Sequence, residues 1–136
     1  MDRVPERLTA AKKIPGCVPV DFGKEDAVEA VVRLNGGMVD RSVDAVGYQA
    51  SGKGGGEVPN VVLENCIKVT RPTGGVGVPG LYVPRDPGGV DEGSRGGMVS
   101  LSFGKLFEKV ITLPHSPFYF ILPFFPLIAV PGQRRE

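Results

Sequence analysis

The segment GLYVPRDPGGVDEGSRGG, Gly80 to Gly97, holds six glycines and two prolines in eighteen residues, a composition that argues against any helix there. Proline lacks the amide hydrogen that a helix interior uses, and each interior glycine costs about 1 kcal/mol relative to alanine. This decides how the residues just before it are read. In TGGVGVPGLY, Thr73 to Tyr82, the glycines Gly75, Gly77 and Gly80 have the spacing G-x-G-x-x-G, the fingerprint of a strand, a tight turn and a helix whose first amides face a pyrophosphate. No helix is expected after Gly80, Pro79 stiffens the turn, and Ser100 stands where the acidic ribose partner is due. The spacing is therefore not read as a phosphate loop, and GVGVPGLYV, Gly75 to Val83, is read as a strand.

The first half of the chain alternates. VPERLTAAKKI places Pro5 early, a carboxylate in the first turn and lysines in the last, which suits a short helix and its dipole. CVPVDF (Cys17 to Phe22) has the length and apolarity of a strand, with Pro19 pointing to an edge. Asp21 is expected to precede the helix KEDAVEAVVRLN, whose Ala27, Val28, Val31, Val32 and Leu34 form one face and which NGG stops. RSVDAVG (Arg41 to Gly47) reads as a strand. VPNVVLENCIKVT reads as a helix on the spacing of Val58, Val61, Val62, Cys66 and Val69, and MVSLSFG (Met98 to Gly104) as a further strand. Helix and strand in turn imply an α/β fold with parallel strands.

Composition narrows the partners. Sixteen basic and fifteen acidic residues give a net charge of +1 with no basic stripe, so nucleic acid is not expected. Cys17 and Cys66, with His115, cannot supply a tetrahedral zinc site at the usual spacings. Both are expected to be reduced, buried thiols, since nothing at the N-terminus looks like a secretory signal. From Ile111 the chain is apolar and aromatic, but prolines 114, 117, 123, 126 and 131 break every apolar run. A spanning helix needs about 20 apolar residues; an irregular or disordered tail is expected instead. His115 lies in PHSP, where a base and a hydroxyl have nothing to hold them in register, so it is read as a loop residue.

VDRSVDAVGYQASGKG, VVLENCIKVTRPTGGVGVPGLYVPRDPGGVD and SLSFGKLFEK together resemble the cofactor domain of zinc-dependent medium-chain alcohol dehydrogenases, nearest the glutathione-independent formaldehyde dehydrogenase branch. The string from Asp44 to Asp91 is the most specific part. The resemblance implies residues 1–110 of an incomplete, Rossmann-like NAD-binding domain, followed by a tail, 111–136, outside it. Its phosphate loop would precede Met1. Losing the first strand and most of the second would leave the third strand on one side of a gap and the fourth to sixth on the other.

The resemblance also assigns residues. Asp2 matches the carboxylate that accepts the adenosine ribose hydroxyls, and Arg7 a basic residue beside the adenosine. Val46 and Gly47 match a strand end lining the cofactor cleft. Pro79, Gly80 and Leu81 match the stretch beside the nicotinamide, where glycine allows close backbone approach. Two positions depart: the family carries arginine and histidine toward the cofactor where this chain has Ser51 and Lys53, of which Lys53 can still meet a phosphate or ribose oxygen. The family's zinc ligands have no counterpart here, so no catalytic or metal residue is assigned. The chain is expected to be a cytoplasmic oxidoreductase fragment, inactive alone. The alternative is a non-catalytic product that self-associates through an open sheet edge or its aromatic tail.

Overall fold

A computed structural model of the chain describes residues 1–113; the expectations for the tail beyond Leu113, His115 included, lie outside these residues. Among them the order is α1 (Pro5–Ala11), α2 (Ala27–Asn35), β1 (Val39–Val43), α3 (Val61–Val69), β2 (Thr70–Gly77), α4 (Glu92–Arg95) and α5 (Phe103–Glu108). The fold is α/β, with β1 and β2 paired in parallel. No described helix is long and apolar enough to cross a membrane.

Each helix is explained by its ends and one face. Pro5 opens α1, where its missing amide hydrogen costs nothing. The cap of α2 is Asp26, not Asp21: its carboxylate accepts the amides of Val28 and Glu29, both at 2.9 Å. Gly36, at φ 72°, ends the helix in the left-handed conformation that glycine adopts without strain. Only Ala30 of α2 is fully buried, while Val32 and Leu34 of the expected face are exposed. On α3 the buried stripe is Leu63, Cys66 and Ile67, with Val69 beyond it; Val58 precedes the helix and is exposed. These side chains form the core with Val76 of β2, Leu106 of α5 and Ile111. Lys109 closes the base of α3 by donating from Nζ to the carbonyls of Ile67, Lys68 and Thr70 at 2.9 to 3.0 Å. Burial lowers its ammonium pKa.

The strands are shorter than the sequence suggests. β1 ends at Val43, because Asp44 turns its carboxylate onto the amides that follow and takes the chain out of the ladder. Cys17 to Phe22 is not a strand: it forms only one isolated parallel bridge, Asp2 to Asp21, with Val20 buried, and Cys17, expected to be buried, is exposed, while Cys66 is buried in the core. Met98 to Gly104 is not a strand. Its last two residues open α5, where Glu64 of α3 receives the backbone amide of Ser102 and, at 2.9 Å, its hydroxyl. The glycine-rich segment does hold a helix, the single turn α4: Asp91 accepts the Ser94 amide at 2.7 Å in a capping box, and four residues fit between the breakers.

β2 is interrupted by a bulge. Val39 pairs with Thr70 but Arg41 with Gly75, so residues 71–74 loop out around Thr73, which has φ 61°. Asp40 and Arg71 form an ion pair across its base. A side chain on Gly74 would lie 2.4 Å from Thr70 Cγ2, which is why glycine is required there. Beyond β2, Thr112 bridges in parallel to Gly75, adding the start of a third strand on the far side of β2.

Candidate functional site

The ends of β1 and β2 are tied together through Asp44. This residue is fully buried, and its main chain donates to Gly77 O and accepts from Gly80 N, both at 2.9 Å. Its carboxylate accepts the amides of Val46 (2.9 Å) and Gly47 (3.1 Å) on Oδ1 and the Tyr82 hydroxyl (2.7 Å) on Oδ2. Buried charge is tolerated when hydrogen bonds replace water, and three donors do so here. Among the described residues no cation pairs with Asp44.

Around this carboxylate two backbones touch. Gly47 and Leu81 form an isolated parallel bridge, and Tyr48 N donates to Leu81 O at 3.3 Å. Gly47 has φ 82°, and a side chain there would stand 2.3 Å from Leu81 O; one on Gly80 would stand 2.6 Å from Gly47 N and 3.0 Å from Asp44 Oδ1. Glycine at 47 and 80 is thus demanded by this crossing itself. Tyr48 and Tyr82 meet edge to face, with ring centroids 4.9 Å apart. Burial first, then the bond to Asp44 and its charge, push the Tyr82 phenol far above its usual pKa. Burial raises Tyr48 as well, with Asp86 and Asp91 adding to it. The Cys66 thiol is raised by burial and by Asp44, against a lowering contact with Ser42.

Four of the residues expected from sequence, Val46, Gly47, Gly80 and Leu81, are brought together at this crossing, with Pro79 exposed beside them. Val46 and Leu81, next in the chain to Gly47 and Gly80, are 48% and 69% exposed. Asp2 and Arg7 meet elsewhere, at 3.5 Å. Asp2 Oδ1 accepts the amides of Arg3 (2.7 Å) and Val4 (3.0 Å), and chiefly the Val4 amide, with Arg3 and Arg7 assisting against partial burial, lowers its pKa. Lys53 is exposed in the loop between Ser51 and Glu57, which pair in antiparallel fashion. That loop lies against the N-terminal segment, since a side chain on Gly55 would stand 2.5 Å from Arg3 Nη1. The eight residues therefore fall into a crossing and an N-terminal corner.

Asp44 and Tyr82 were missed by sequence reasoning. The signal was present: a carboxylate at the end of an apolar strand, two residues before the turn and three before a glycine, has the pattern of a side chain that caps its own turn. Two grooves lie elsewhere. One of about 810 Å³ is lined by residues 57–60, 90–93 and 98–100, and one of about 350 Å³ lies on the sheet face beside Arg41, Gly75 and Thr112. Neither includes any of the eight. Zinc, implied by the resemblance, finds no set of three His, Cys, Asp or Glu ligands among the described residues.

Val46 and Leu81 are exposed apolar side chains next to the two glycines of the crossing, and Asp2 Oδ2, which meets Arg7 at 3.5 Å, keeps acceptor capacity. In these respects the residues present fit a dinucleotide. No family model matches the chain. It is 39% identical over 110 residues to the glutathione-independent formaldehyde dehydrogenase of Bacillus subtilis, taking in 79% of the chain and 27% of that protein. It is 42% identical over 111 residues to the protein of the same name from Pseudomonas aeruginosa, covering 77% and 28%. Formaldehyde dismutase of Pseudomonas putida matches at 41% over 78 residues, covering 55% and 20%. The chain is similar to one stretch of the glutathione-independent formaldehyde dehydrogenases and spans about 28% of the length of these relatives.

Proposed function

We propose that this chain is part of the NAD-binding portion of a formaldehyde dehydrogenase-like oxidoreductase, with the crossing of Val46–Gly47 and Gly80–Leu81 beside the nicotinamide and Asp2, Arg7 and Lys53 beside the adenosine ribose and phosphates. The observation that carries the reading is the crossing, where Gly47 meets Gly80 and Leu81, with Val46 next in the chain. The pairing pattern supports it. Asp2 pairs with Asp21, separately from the parallel set of β1, β2 and Thr112, as expected of a Rossmann-like sheet whose central strand is not among these residues.

When bound, NAD supplies the hydride acceptor. The residues of this chain hold and orient it: Val46 and Leu81 present apolar surface to one ring face, the Gly47 and Gly80 peptides fix that surface, and Asp2 offers a carboxylate to ribose hydroxyls. The reading includes a cytoplasmic setting and no turnover by the chain alone. Titration of the purified chain with NAD, followed by amide chemical shifts, tests it: saturable changes at Asp2, Val46 and Gly80 are expected, and no change at millimolar NAD overturns it.

A second reading has its own observation. Among the described residues β1 pairs on one side only, and an open strand edge is a template for another chain. Self-association through that edge gives a concentration-dependent dimer in size-exclusion chromatography, and a monomer at all concentrations sinks it.

A further inference from the structure

Asp44 is the one fully buried carboxylate among the described residues, and the binding surface proposed above makes no direct use of it. It is compensated by three hydrogen bonds and by no cation. Its Oδ1 lies directly beneath Gly80, 3.0 Å from where a side chain on that residue would begin. The carboxylate also accepts the amides of Val46 and Gly47, so it is hydrogen-bonded directly to one half of the proposed binding surface. A charge so placed acts through protein rather than water, so its field is weakly screened.

Resting on the reading that the nicotinamide lies at this crossing, we infer that the Asp44 carboxylate biases the site toward the oxidised cofactor. The nicotinamide ring of NAD+ carries a positive charge and that of NADH carries none, so a buried anion behind Gly80 stabilises the first without stabilising the second. Tyr82 moderates the effect. Its O–H dipole points at Oδ2 and offsets part of the negative field.

The test is the ratio of dissociation constants, Kd for NADH over Kd for NAD+, measured on the full chain by amide-shift titration, with circular dichroism to check folding. Asp44→Asn keeps the shape and removes the charge, and is expected to lower the ratio by about tenfold or more, since a unit charge acting over a few ångströms of protein exceeds that scale before the opposing dipoles around Asp44 reduce it. Tyr82→Phe keeps the charge and removes a donor, and is expected to raise the ratio about threefold, since one hydrogen bond to a charged group is lost. A purely structural role weakens both cofactor forms in the same proportion, so a ratio that stays constant in both variants overturns the inference. If Asp44→Asn does not fold, the Tyr82→Phe result decides alone: a rise supports the inference, and a constant or lower ratio overturns it. Absence of saturable binding of either form to the unsubstituted chain overturns the cofactor reading and the inference together.

Discussion

Asp44 and Asp2 begin in the same way. Each carboxylate turns its Oδ1 onto amides that follow it in the chain, Val46 and Gly47 in one case and Arg3 and Val4 in the other. Their surroundings then separate them. Asp44 is sealed from solvent with its second oxygen on the Tyr82 hydroxyl, whereas the second oxygen of Asp2 faces Arg7 in a contact open to water. A local turn of the same kind thus becomes the centre of the crossing in one region and a surface corner in the other. The difference lies in what water can replace: at Asp2 solvent can take over a lost hydrogen bond, and at Asp44 it cannot.

Substitutions can break this comparison. The largest effect is expected at the crossing, where Gly47→Ala or Gly80→Ala drives a methyl group into backbone and should cost more than about 3 kcal/mol in urea unfolding; a loss below 1 kcal/mol would show that the two backbones can part. Gly77→Ala, in the same G-x-G-x-x-G spacing, meets Val43 Cγ2 at 3.6 Å and Ser42 O at 4.0 Å, ordinary contacts, and should cost about 1 kcal/mol or less. Asp44→Ala leaves two amides and a phenol without their acceptor and is expected to cost about 3 kcal/mol. Tyr82→Phe removes one bond and should cost about 1 kcal/mol. At the corner, Asp2→Asn should change stability by no more than about 0.5 kcal/mol; a loss as large as that at Asp44 would erase the distinction.

The pH dependence sharpens the same contrast from opposite ends of the scale. The folded-state pKa of Tyr82 is raised above its ordinary 10.0. Its contribution is fully present below pH 10 and is lost as pH rises from there toward the folded value, because the unfolded chain ionises the phenol first. Tyr82→Phe should flatten the alkaline fall in stability, leaving the smaller part due to Tyr48. Asp2 is lowered from 3.8, so its contribution is present above that value and is lost as pH falls through the folded one. Asp2→Asn should remove only a slight acid slope, measurable by urea titration across that range.

Local rules read the helices well and the strands poorly. Pro5 and Gly36 marked helix ends that the structure keeps, because both act through their own φ angles. Asp26 took the cap from Asp21, a choice set by which carboxylate reaches the first amides. The expected strand at Met98 to Gly104 became the start of α5 once Glu64, distant in sequence, bound Ser102. The expectation of no helix after Gly80 failed at α4, since one turn needs only a capping box and not a helix interior. The string DAVG marked Val46 and Gly47 as candidate site residues through family resemblance alone. Asp44, the residue that organises them, was passed over because its acceptors' donors come from 38 residues away as well as from its own turn.

By itself the sequence determined the α/β alternation, the helix boundaries set by proline and glycine, and the exclusion of a phosphate loop at Gly75 to Gly80, all consequences of backbone freedom over a few residues. The tertiary structure decided why Gly47 and Gly80 must be glycines, where Asp44 spends its carboxylate, and which carboxylate is sealed and which is open. Those depend on burial and on contacts between segments far apart in the chain, and neither is encoded in the identity of one residue.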